Sequence, residues 1–214
     1  MKIIKPYIKE IMFYLPENGD SINKEIEKVA RTCYQSHDHT RDGSDNTMVR
    51  NLRDKGHHAM LEFGGDARVT IVADRGLTHE LVRHRIASFA QESTRYCNYN
   101  KGKFSSEITV IEQPDMTDEQ YKIWEHAMFR AEDGYLNLIA AGVKAQIARS
   151  VLPIGVKSEI NIKASMREWR HIFKMRCAKA AHPIIRGIML EALEQFSNKI
   201  PVLFDDLKEE FLGG

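Results

Sequence analysis

The sequence is organised around residues 83–96, which run Arg-His-Arg-Ile-Ala-Ser-Phe-Ala-Gln-Glu-Ser-Thr-Arg-Tyr. This stretch contains three arginines, whose planar guanidinium groups present fixed pairs of N–H donors to phosphate or carboxylate. Its serine and threonine hydroxyls can complete the hydrogen-bonding shell of a phosphate. So many anion donors in the middle of a chain indicate a binding site.

The residues before this stretch predict a helix that Thr78 caps and that continues into the arginine triplet. On such a helix Arg83 and Arg85 are about 200° apart, so one ligand atom does not easily meet both. Two interpretations follow. Either two anionic groups approach from different sides, or the helix is a salt-bridged surface on which Glu80 and Glu92 pair with the arginines.

The composition is that of an ordinary soluble protein, with 214 residues, 43% of them apolar and 29% charged, and a net charge of +1. This length suits one large domain, and we expect residues 1–214 to form it. The small net charge gives no basic field that would attract nucleic acid or a membrane surface. Three widely spaced cysteines fit neither a disulfide framework nor a metal site, which indicates a reducing compartment and predicts a cytoplasmic protein.

Alternating strand-like and helical patterns predict an α+β fold. Strands are expected within residues 2–14, 62–73 and 156–162. No glycine-rich loop follows a strand, which excludes a Rossmann fingerprint and a Walker A loop. Helices are expected behind Asp20 or Ser21, around Met48, Val49 and Leu52, behind the pair Thr117 and Gln120, behind the pair Ser165 and Glu168, and from Pro183 until Pro201 ends the last one.

Basic residues outside the triplet have alternative roles. Arg149 follows apolar residues 145–148, and a lone arginine there needs either an internal acid or a ligand anion as partner. Ser93 and Arg95 could hold a phosphate with backbone N–H groups, or they could belong to a polar turn.

The helix behind Ser165 carries a second set of basic residues. Arg167 and His171 share one face, whereas Arg176 lies toward the apolar side. A charge on an apolar side is costly unless it is used, which favours a ligand role for Arg176. Arg170 is expected to face solvent. We expect no metal site, because the histidines and cysteines are scattered along the chain.

Four motifs, in order, resemble the flavin-dependent thymidylate synthases. The Arg-His-Arg triplet at 83–85, followed after seven residues by Ser93, has the signature spacing of that family. One triplet alone would be weak support, but four ordered motifs make chance an unsatisfactory explanation. Besides the triplet, the three remaining motifs are the Ala-Arg-Ser-Val-Leu-Pro segment at 148–153, the series Arg167, His171 and Arg176, and the histidine loop at 56–62.

The resemblance implies mixed helices around a small, mainly antiparallel sheet, in a homotetramer with active sites at subunit interfaces. It implies an enzyme that methylates dUMP to dTMP without a thiol nucleophile. Methylenetetrahydrofolate would be the one-carbon donor, and FAD reduced by NADPH would carry the hydride. The partners would be these small molecules, with neither nucleic acid nor membrane among them.

The resemblance also implies roles for residues. Catalytic roles would fall to Arg176, which would favour ionisation of the pyrimidine N3–H, to His57 near the flavin and folate, and to Ser93. Binding of dUMP would involve Glu80, Arg83, Gln91, Glu92, Ser93, Thr94, Arg95, Arg149 and Arg176. Binding of FAD would involve Ala59, Arg83, His84, Arg85, Gln91, Ser165, Met166, Arg167 and His171. Ala59, Phe63, Ala90 and Gln91 differ from the residues that the family usually has.

Two other functions compete with this one. A flavoenzyme of the same fold could act on another pyrimidine nucleotide, such as dCMP, or could add a hydroxymethyl group. A non-catalytic nucleotide- or RNA-binding module could use the basic segment. Against the module stand the near-neutral charge and the lack of aromatic residues interleaved with the basic ones.

Overall fold

The computed structural model describes residues 1–14, 21–95 and 107–213. Its strands are β1 (Lys2–Ile4), β2 (Tyr7–Tyr14), β3 (Asp66–Asp74), β4 (Ser88–Gln91), β5 (Thr109–Ile111) and β6 (Lys157–Ser165). Its helices are α1 (Ile22–Tyr34), α2 (Ser44–Asp54), α3 (Arg75–Leu81), α4 (Asp118–Ala140), α5 (Ala145–Ala148), α6 (Met166–Arg176), α7 (Pro183–Lys199) and α8 (Pro201–Leu212). Short 3₁₀ turns lie at His37–His39, His58–Gly64 and Arg149–Val151. The predicted α+β class is confirmed.

The strands form two sheets. β2, β3, β6 and β4 lie in that order in a four-stranded sheet, and β1 pairs with β5 in a separate two-stranded sheet. The β1–β5 pair is parallel and joins Lys2 to Thr109 and Ile4 to Ile111. Mixed helices with a small, largely antiparallel sheet are the architecture that the motifs predicted.

The chain divides into two compact units. The first unit comprises Met1–Lys9, Thr70–Arg83 and Phe89–Asn161. The second unit comprises Glu10–Val69, His84–Ser88 and Ile162–Gly214. The core of the first unit is a cluster in which buried residues at β5, on α4 and α5, and directly before β6 pack together. Trp124, Met128, Leu136 and Leu138 of α4 pack against this cluster and are partly buried.

Aromatic rings fill the core of the second unit. Trp169 and Phe173 of α6 lie 5.0 and 5.1 Å from the ring of Phe196 on α7, measured between centroids. Phe204 of α8 lies 5.3 Å from the same ring, so Phe196 joins the three C-terminal helices. Edge-to-face contacts of this kind add to the free energy gained by burying the rings. The 3.6-residue spacing of apolar residues on α6 produces this packing.

Polar caps fix the start of several helices, as the sequence predicts. The hydroxyls of Ser21, Thr117 and Ser165 each accept a hydrogen bond from the backbone N–H three residues on. Thr117 forms a full capping box with Gln120. Pro183 occupies the first turn of α7, where its missing N–H removes no helical hydrogen bond.

Two predictions about the helix before the arginine triplet were wrong. Asp74 caps α3 instead of Thr78, because its Oδ1 accepts from the N–H of Leu77 at 2.7 Å. α3 ends at Leu81, and residues 83–85 lie outside any helix. The separation of Arg83 and Arg85 by a helical rotation therefore does not apply. Burial of His84 and the start of β4 at Ser88 outweigh the local helical pattern.

Two further boundaries differ from the prediction. Residues 62–64 belong to a 3₁₀ turn, and the strand begins only at Asp66. The turn packs closely against α1, since a Cβ atom on Gly64 would lie 3.0 Å from Ile26 Cδ1. Pro201, expected to end the last helix, begins α8. Within residues 1–14, 21–95 and 107–213, no helix is both long and apolar enough to cross a membrane.

Arg170, expected to face solvent, is a buried residue that links α6 to α8. It is 3% exposed, donates to both carboxylate oxygens of Asp206 at 2.7 Å, and donates to the carbonyl of Leu203. Burial raises the pKa of Asp206, but the hydrogen bonds and charge of Arg170 and the charge of Arg53 outweigh this effect and leave the pKa below 3.8. The reach of α8 back to α6 has no local sequence signal, which explains the error.

We predict that Asp206→Asn lowers the free energy of unfolding by about 3 kcal/mol, because it leaves a buried guanidinium without a countercharge. Because the pKa of Asp206 is depressed in the folded state, its contribution is complete above the unfolded pKa of about 4 and is lost as pH falls through the folded pKa. Urea unfolding at pH 7 and at pH 3 measures both effects. Asp133→Asn, on the exposed side of α4, is the control and should match the wild type. If wild type and Asp206→Asn differed by the same unfolding free energy at both pH values, the depressed pKa of Asp206 would be contradicted.

Candidate functional site

In the first unit, the residues predicted to bind a nucleotide lie after α3 and after β4. Arg83 is exposed in the turn that follows α3, where its N–H donates to the carbonyl of Glu80 at 3.3 Å. The alternative of a salt-bridged surface is not supported at Glu92, whose Oε2 accepts from Lys157 Nζ at 2.6 Å. Among the described residues, no carboxylate forms an ion pair with the Arg83 guanidinium. Its charge therefore remains available to an anion.

Gln91, at the end of β4, has a structural role. Its Nε2 donates to Thr78 Oγ1 at 2.9 Å and to Ser158 Oγ at 3.1 Å. Both hydroxyl residues are fully buried, and Thr78 already donates its hydroxyl hydrogen to the carbonyl of Arg75 at 3.0 Å, so the amide meets the acceptor capacity that remains. An amide donor suits two hydroxyl acceptors better than a carboxylate would, because an ionised carboxylate can only accept.

Arg149 and the Ser93–Arg95 segment meet in the first unit. Arg149 follows α5 and donates from Nη1 to the hydroxyl of the buried Thr94 at 3.0 Å. The hydroxyl of Ser93 accepts from the N–H of Arg95 at 3.3 Å, which shapes a tight turn. In the described part of the chain, no carboxylate pairs with Arg149. The internal-acid alternative for Arg149 is thus excluded within those residues, and its positive charge lies beside the Thr94 hydroxyl, an arrangement that suits phosphate recognition.

In the second unit, α6 presents the residues predicted to contact a flavin. Its start is fixed by the Ser165 cap, and Arg167 in the first turn pairs loosely with Glu62 at 3.5 Å. Arg167 and His171 are both exposed and lie on the same side of α6, as predicted. They border a cavity of about 530 Å³ that belongs entirely to the second unit. The complete lining is His58, Glu62, Ile86, Arg167, Glu168, Arg170, His171 and Lys174.

His84 and Arg176 are in direct contact in the second unit. His84 is 5% exposed, and its Nε2 accepts a hydrogen bond from Arg176 Nε at 3.0 Å. Glu168 Oε1 lies 3.6 Å from the other ring nitrogen, Nδ1, and the ring of His171 packs edge-on at 5.7 Å. Burial, together with the positive charges of Arg176 and His171, lowers the pKa of His84 to about 4. The imidazole is therefore neutral at physiological pH.

Glu168 lies beside His84 in the site, whereas the sequence predicted only a role in a helix cap for this residue. Its backbone N–H donates to Ser165, while the residue as a whole is 8% exposed and its carboxylate lies toward His84. Burial raises the pKa of this carboxyl, and the charge of His171 only partly offsets the effect. Its sequence signal, a Glu three residues after a Ser, is shared with every capping box, so the second role could not be separated from the first.

The other predicted flavin residues differ in how accessible they are. Ala59 and Arg85 are exposed. Met166 is fully buried and donates its N–H to the carbonyl of Gly65 at 3.0 Å, so it offers a ligand no side-chain contact from the surface. His57 is exposed, and its Nδ1 lies 3.5 Å from the hydroxyl of Tyr34.

His58, the neighbour of His57, lines the cavity and was not predicted. Its Nε2 donates to the carbonyl of Arg53 at 3.0 Å, and burial lowers its pKa. The pair of histidines at 57–58 was the available sequence signal, but sequence alone could not decide which ring turns inward.

One group of side chains could hold a metal ion geometrically. Ligand atoms of His84, Glu168 and His171 lie within 4.8 Å of one another. This trio differs from the scattered residues considered in the sequence, because Glu168 and His171 lie on α6 and the turn that precedes β4 brings His84 beside them. The hydrogen bond from Arg176 already occupies one nitrogen of His84.

Comparisons with known proteins agree on one family. The family model described as thymidylate synthase complementing protein (Thy1) matches residues 17–202. The flavin-dependent thymidylate synthase of Geobacter sulfurreducens is 33% identical over 184 residues, which cover 83% of this chain and 78% of that protein. The enzyme of the same name from Corynebacterium glutamicum is 28% identical over 204 residues, covering 87% and 80%.

A solved structure shares the fold. The UMP/dUMP methylase PolB from Streptomyces cacaoi, crystallised with 5-Br dUMP, superposes with a TM-score of 0.74 at 20% sequence identity. The match covers 99% of this chain and 98% of that one. The resemblance predicted from four motifs is thus confirmed at the level of family and fold.

The thiols of the described residues have contrasting environments. Cys33 on α1 is exposed, whereas Cys177, directly after Arg176, is fully buried. Burial raises the pKa of the Cys177 thiol to about 12, against the smaller opposing effect of the Arg186 charge. Cys97 lies outside the described residues. A thiol with this pKa is almost entirely protonated at pH 8 and is a poor nucleophile.

We predict that iodoacetamide at pH 8 labels Cys33 rapidly and leaves Cys177 unmodified in the folded protein. The thiolate fraction of Cys177 is on the order of 10³-fold lower than that of a free cysteine, and burial blocks access as well. Peptide mass spectrometry measures the labelling of each residue, with urea-unfolded protein as the control in which both react. Equal labelling of the two residues in the folded protein would refute the burial of Cys177.

Proposed function

The chain belongs to the thymidylate synthase complementing family, and from that premise we propose that it methylates dUMP to dTMP as a flavin-dependent enzyme of the cytoplasm. The one-carbon donor is methylenetetrahydrofolate, and NADPH reduces the flavin. The observation that carries the proposal is the hydrogen bond from Arg149 to Thr94, which stands between Ser93 and Arg95 in the chain; no acid among the described residues pairs with this arginine. The related fold of PolB, with 5-Br dUMP bound, supports a pyrimidine nucleotide as ligand.

The nucleotide phosphate is the group that these residues suit. A phosphate oxygen can accept from a guanidinium, from hydroxyls and from backbone N–H groups in one turn. Arg149 retains its whole charge for this purpose, because its partner Thr94 is neutral. Arg83, exposed after α3, supplies a second cation of the same unit. Ser93 and Arg95 fix the shape of the turn.

The cavity of the second unit suits the anionic part of FAD. Arg167 and Lys174 supply positive charge, and His171 supplies a ring that can stack or donate. The Glu62 carboxylate lies 3.5 Å from the Arg167 guanidinium, and both side chains are about half exposed, so the ion pair is weak. A diphosphate can therefore compete for the guanidinium. When bound, reduced FAD supplies the hydride that completes the methyl group. The other proposed contacts of the same cofactor are Ala59, His84, Arg85 and Ser165. His57 is proposed to lie near both the flavin and the folate.

Arg176 is proposed to activate the pyrimidine. Its guanidinium would stabilise the negative charge that develops when N3–H ionises, which raises the electron density at C5. An electron-rich C5 can accept the one-carbon unit without prior attack of a thiol at C6. The buried Cys177, with its raised pKa, is consistent with chemistry that uses no thiol.

A homotetramer with active sites between subunits is part of the proposal. Exposed apolar residues on the first unit support self-association, among them Ile123 at 67%, Phe129 at 55% and Ile147 at 60%. Light scattering on the purified protein determines the oligomeric state, and a monomer at micromolar concentration would refute this part.

We predict that the purified protein is yellow or becomes yellow with added FAD, and that it converts dUMP to dTMP with methylenetetrahydrofolate and NADPH. Mass analysis of the nucleotide identifies the product. Turnover of dCMP without turnover of dUMP, or addition of a hydroxymethyl group, would select the rival flavoenzyme. A protein that binds no flavin would refute both functions.

We predict that Arg176→Ala lowers kcat for dUMP by about 10²–10³-fold, because one preorganised donor to the developing charge is removed. Flavin content, measured by absorbance, should stay close to that of the wild type. Lys179→Ala, three residues further along and exposed, is the matched control and should retain activity. Unchanged turnover in Arg176→Ala would exclude the role given to this residue.

A further inference from the structure

We infer that Glu168 and His84 act as positioning residues that fix the guanidinium of Arg176 for the pyrimidine. The inference deepens the proposed function and rests on the role given there to Arg176. Glu168 lies in the first turn of α6 and Arg176 in its last turn, and His84 reaches both from outside the helix. The series Glu168, His84, Arg176 therefore joins the two ends of one helix through a buried ring.

The direction of the hydrogen bonds follows from the chemistry of arginine. Its Nε can only donate, because guanidinium remains protonated at any physiological pH. Nε2 of His84, 3.0 Å away, must therefore be the acceptor, and the ring proton must lie on Nδ1. The same contact requires a neutral ring, since a protonated imidazole would present an N–H to the N–H of Arg176.

Glu168 stabilises that tautomer from the other side of the ring. Its Oε1 is 3.6 Å from Nδ1, which is longer than a hydrogen bond but within range of a strong electrostatic interaction in a buried place. The negative charge favours the N–H dipole that points toward it. With Nε anchored in this way, rotation of the Arg176 side chain is restricted, and the plane of its guanidinium is set before substrate binds.

The metal-binding alternative for the same residues makes the opposite demand. A metal ion held by His84, Glu168 and His171 would need Nδ1 without a proton. The neutral ring would then carry its proton on Nε2, and the hydrogen bond from Arg176 would be lost. The two uses of His84 exclude each other, so the position of one proton decides between them.

The tautomer can be measured without any assay of activity. Nitrogen NMR of ¹⁵N-histidine-labelled protein at pH 7 should show His84 with its proton on Nδ1, assigned by loss of the signal in His84→Gln. A proton on Nε2, or stoichiometric zinc bound to the purified protein and lost in His84→Gln, would overturn the inference. Because this readout does not depend on turnover, it remains valid even if dUMP is not the substrate.

A pair of substitutions separates the two ring nitrogens. In His84→Gln the amide oxygen reaches the place of Nε2 and can still accept from Arg176, whereas in His84→Asn the shorter amide reaches only the place of Nδ1. We expect His84→Asn to lower kcat by about 10²-fold, as a misplaced catalytic group does, with a smaller effect on KM for dUMP. His84→Gln should recover most of that loss, and Glu168→Leu should lower kcat less than His84→Asn.

The double variant His84→Asn/Arg176→Ala tests whether the residues act through one another. With FAD at saturating concentration, so that the proposed contact of His84 with the cofactor does not limit the rate, its kcat should equal that of Arg176→Ala alone, since a positioning residue has no effect once its target is absent. Multiplied losses in the double variant, or equal losses in His84→Gln and His84→Asn while both remain folded by circular dichroism, would overturn the inference. Failure of the proposed function would appear differently, as wild-type protein without turnover of dUMP.

Discussion

The hydrogen bond between Arg176 and the buried His84 constrains much of the second unit. A buried imidazole needs a hydrogen-bond partner, because a buried polar group without one costs about 1–3 kcal/mol. The requirement explains why the chain leaves the helical path after Leu81 and inserts His84 beside α6. It also explains the first turn of α6, where Ser165 holds the backbone so that the Glu168 side chain can face the ring.

The arginines of the protein fall into two electrostatic classes. Arg170 is buried against Asp206, and Arg53 against Asp205, so their charges are neutralised within the fold. Arg149 instead donates to the neutral hydroxyl of Thr94 and has no acidic partner among the described residues. A neutral partner orients a guanidinium without cancelling its charge, and the charge then attracts an anionic ligand. This distinction, more than the number of arginines, marks a binding site.

The sequence predicted those features that depend on neighbours along the chain. The caps at Ser21, Thr117 and Ser165 each need residues only three positions apart, and the apolar face of α6 needs only helical spacing. The helix expected through Arg83 failed because burial of His84 and pairing of β4 depend on distant residues. Arg170 was misjudged for the same reason, since Asp206 lies thirty-six positions away.

For the candidate site, spacing identified the residue types but not their partners. Arg149 and Thr94 were both named, yet fifty-five positions separate them, and nothing local pairs them. Glu168 was recognised only as half of a cap, although its carboxylate faces His84. The Ser165 cap bonds only the backbone N–H of Glu168, so the Glu168 side chain can point elsewhere. In this chain that freedom is used to place a carboxylate beside an imidazole, so that one short motif both starts a helix and orders the ring that holds Arg176.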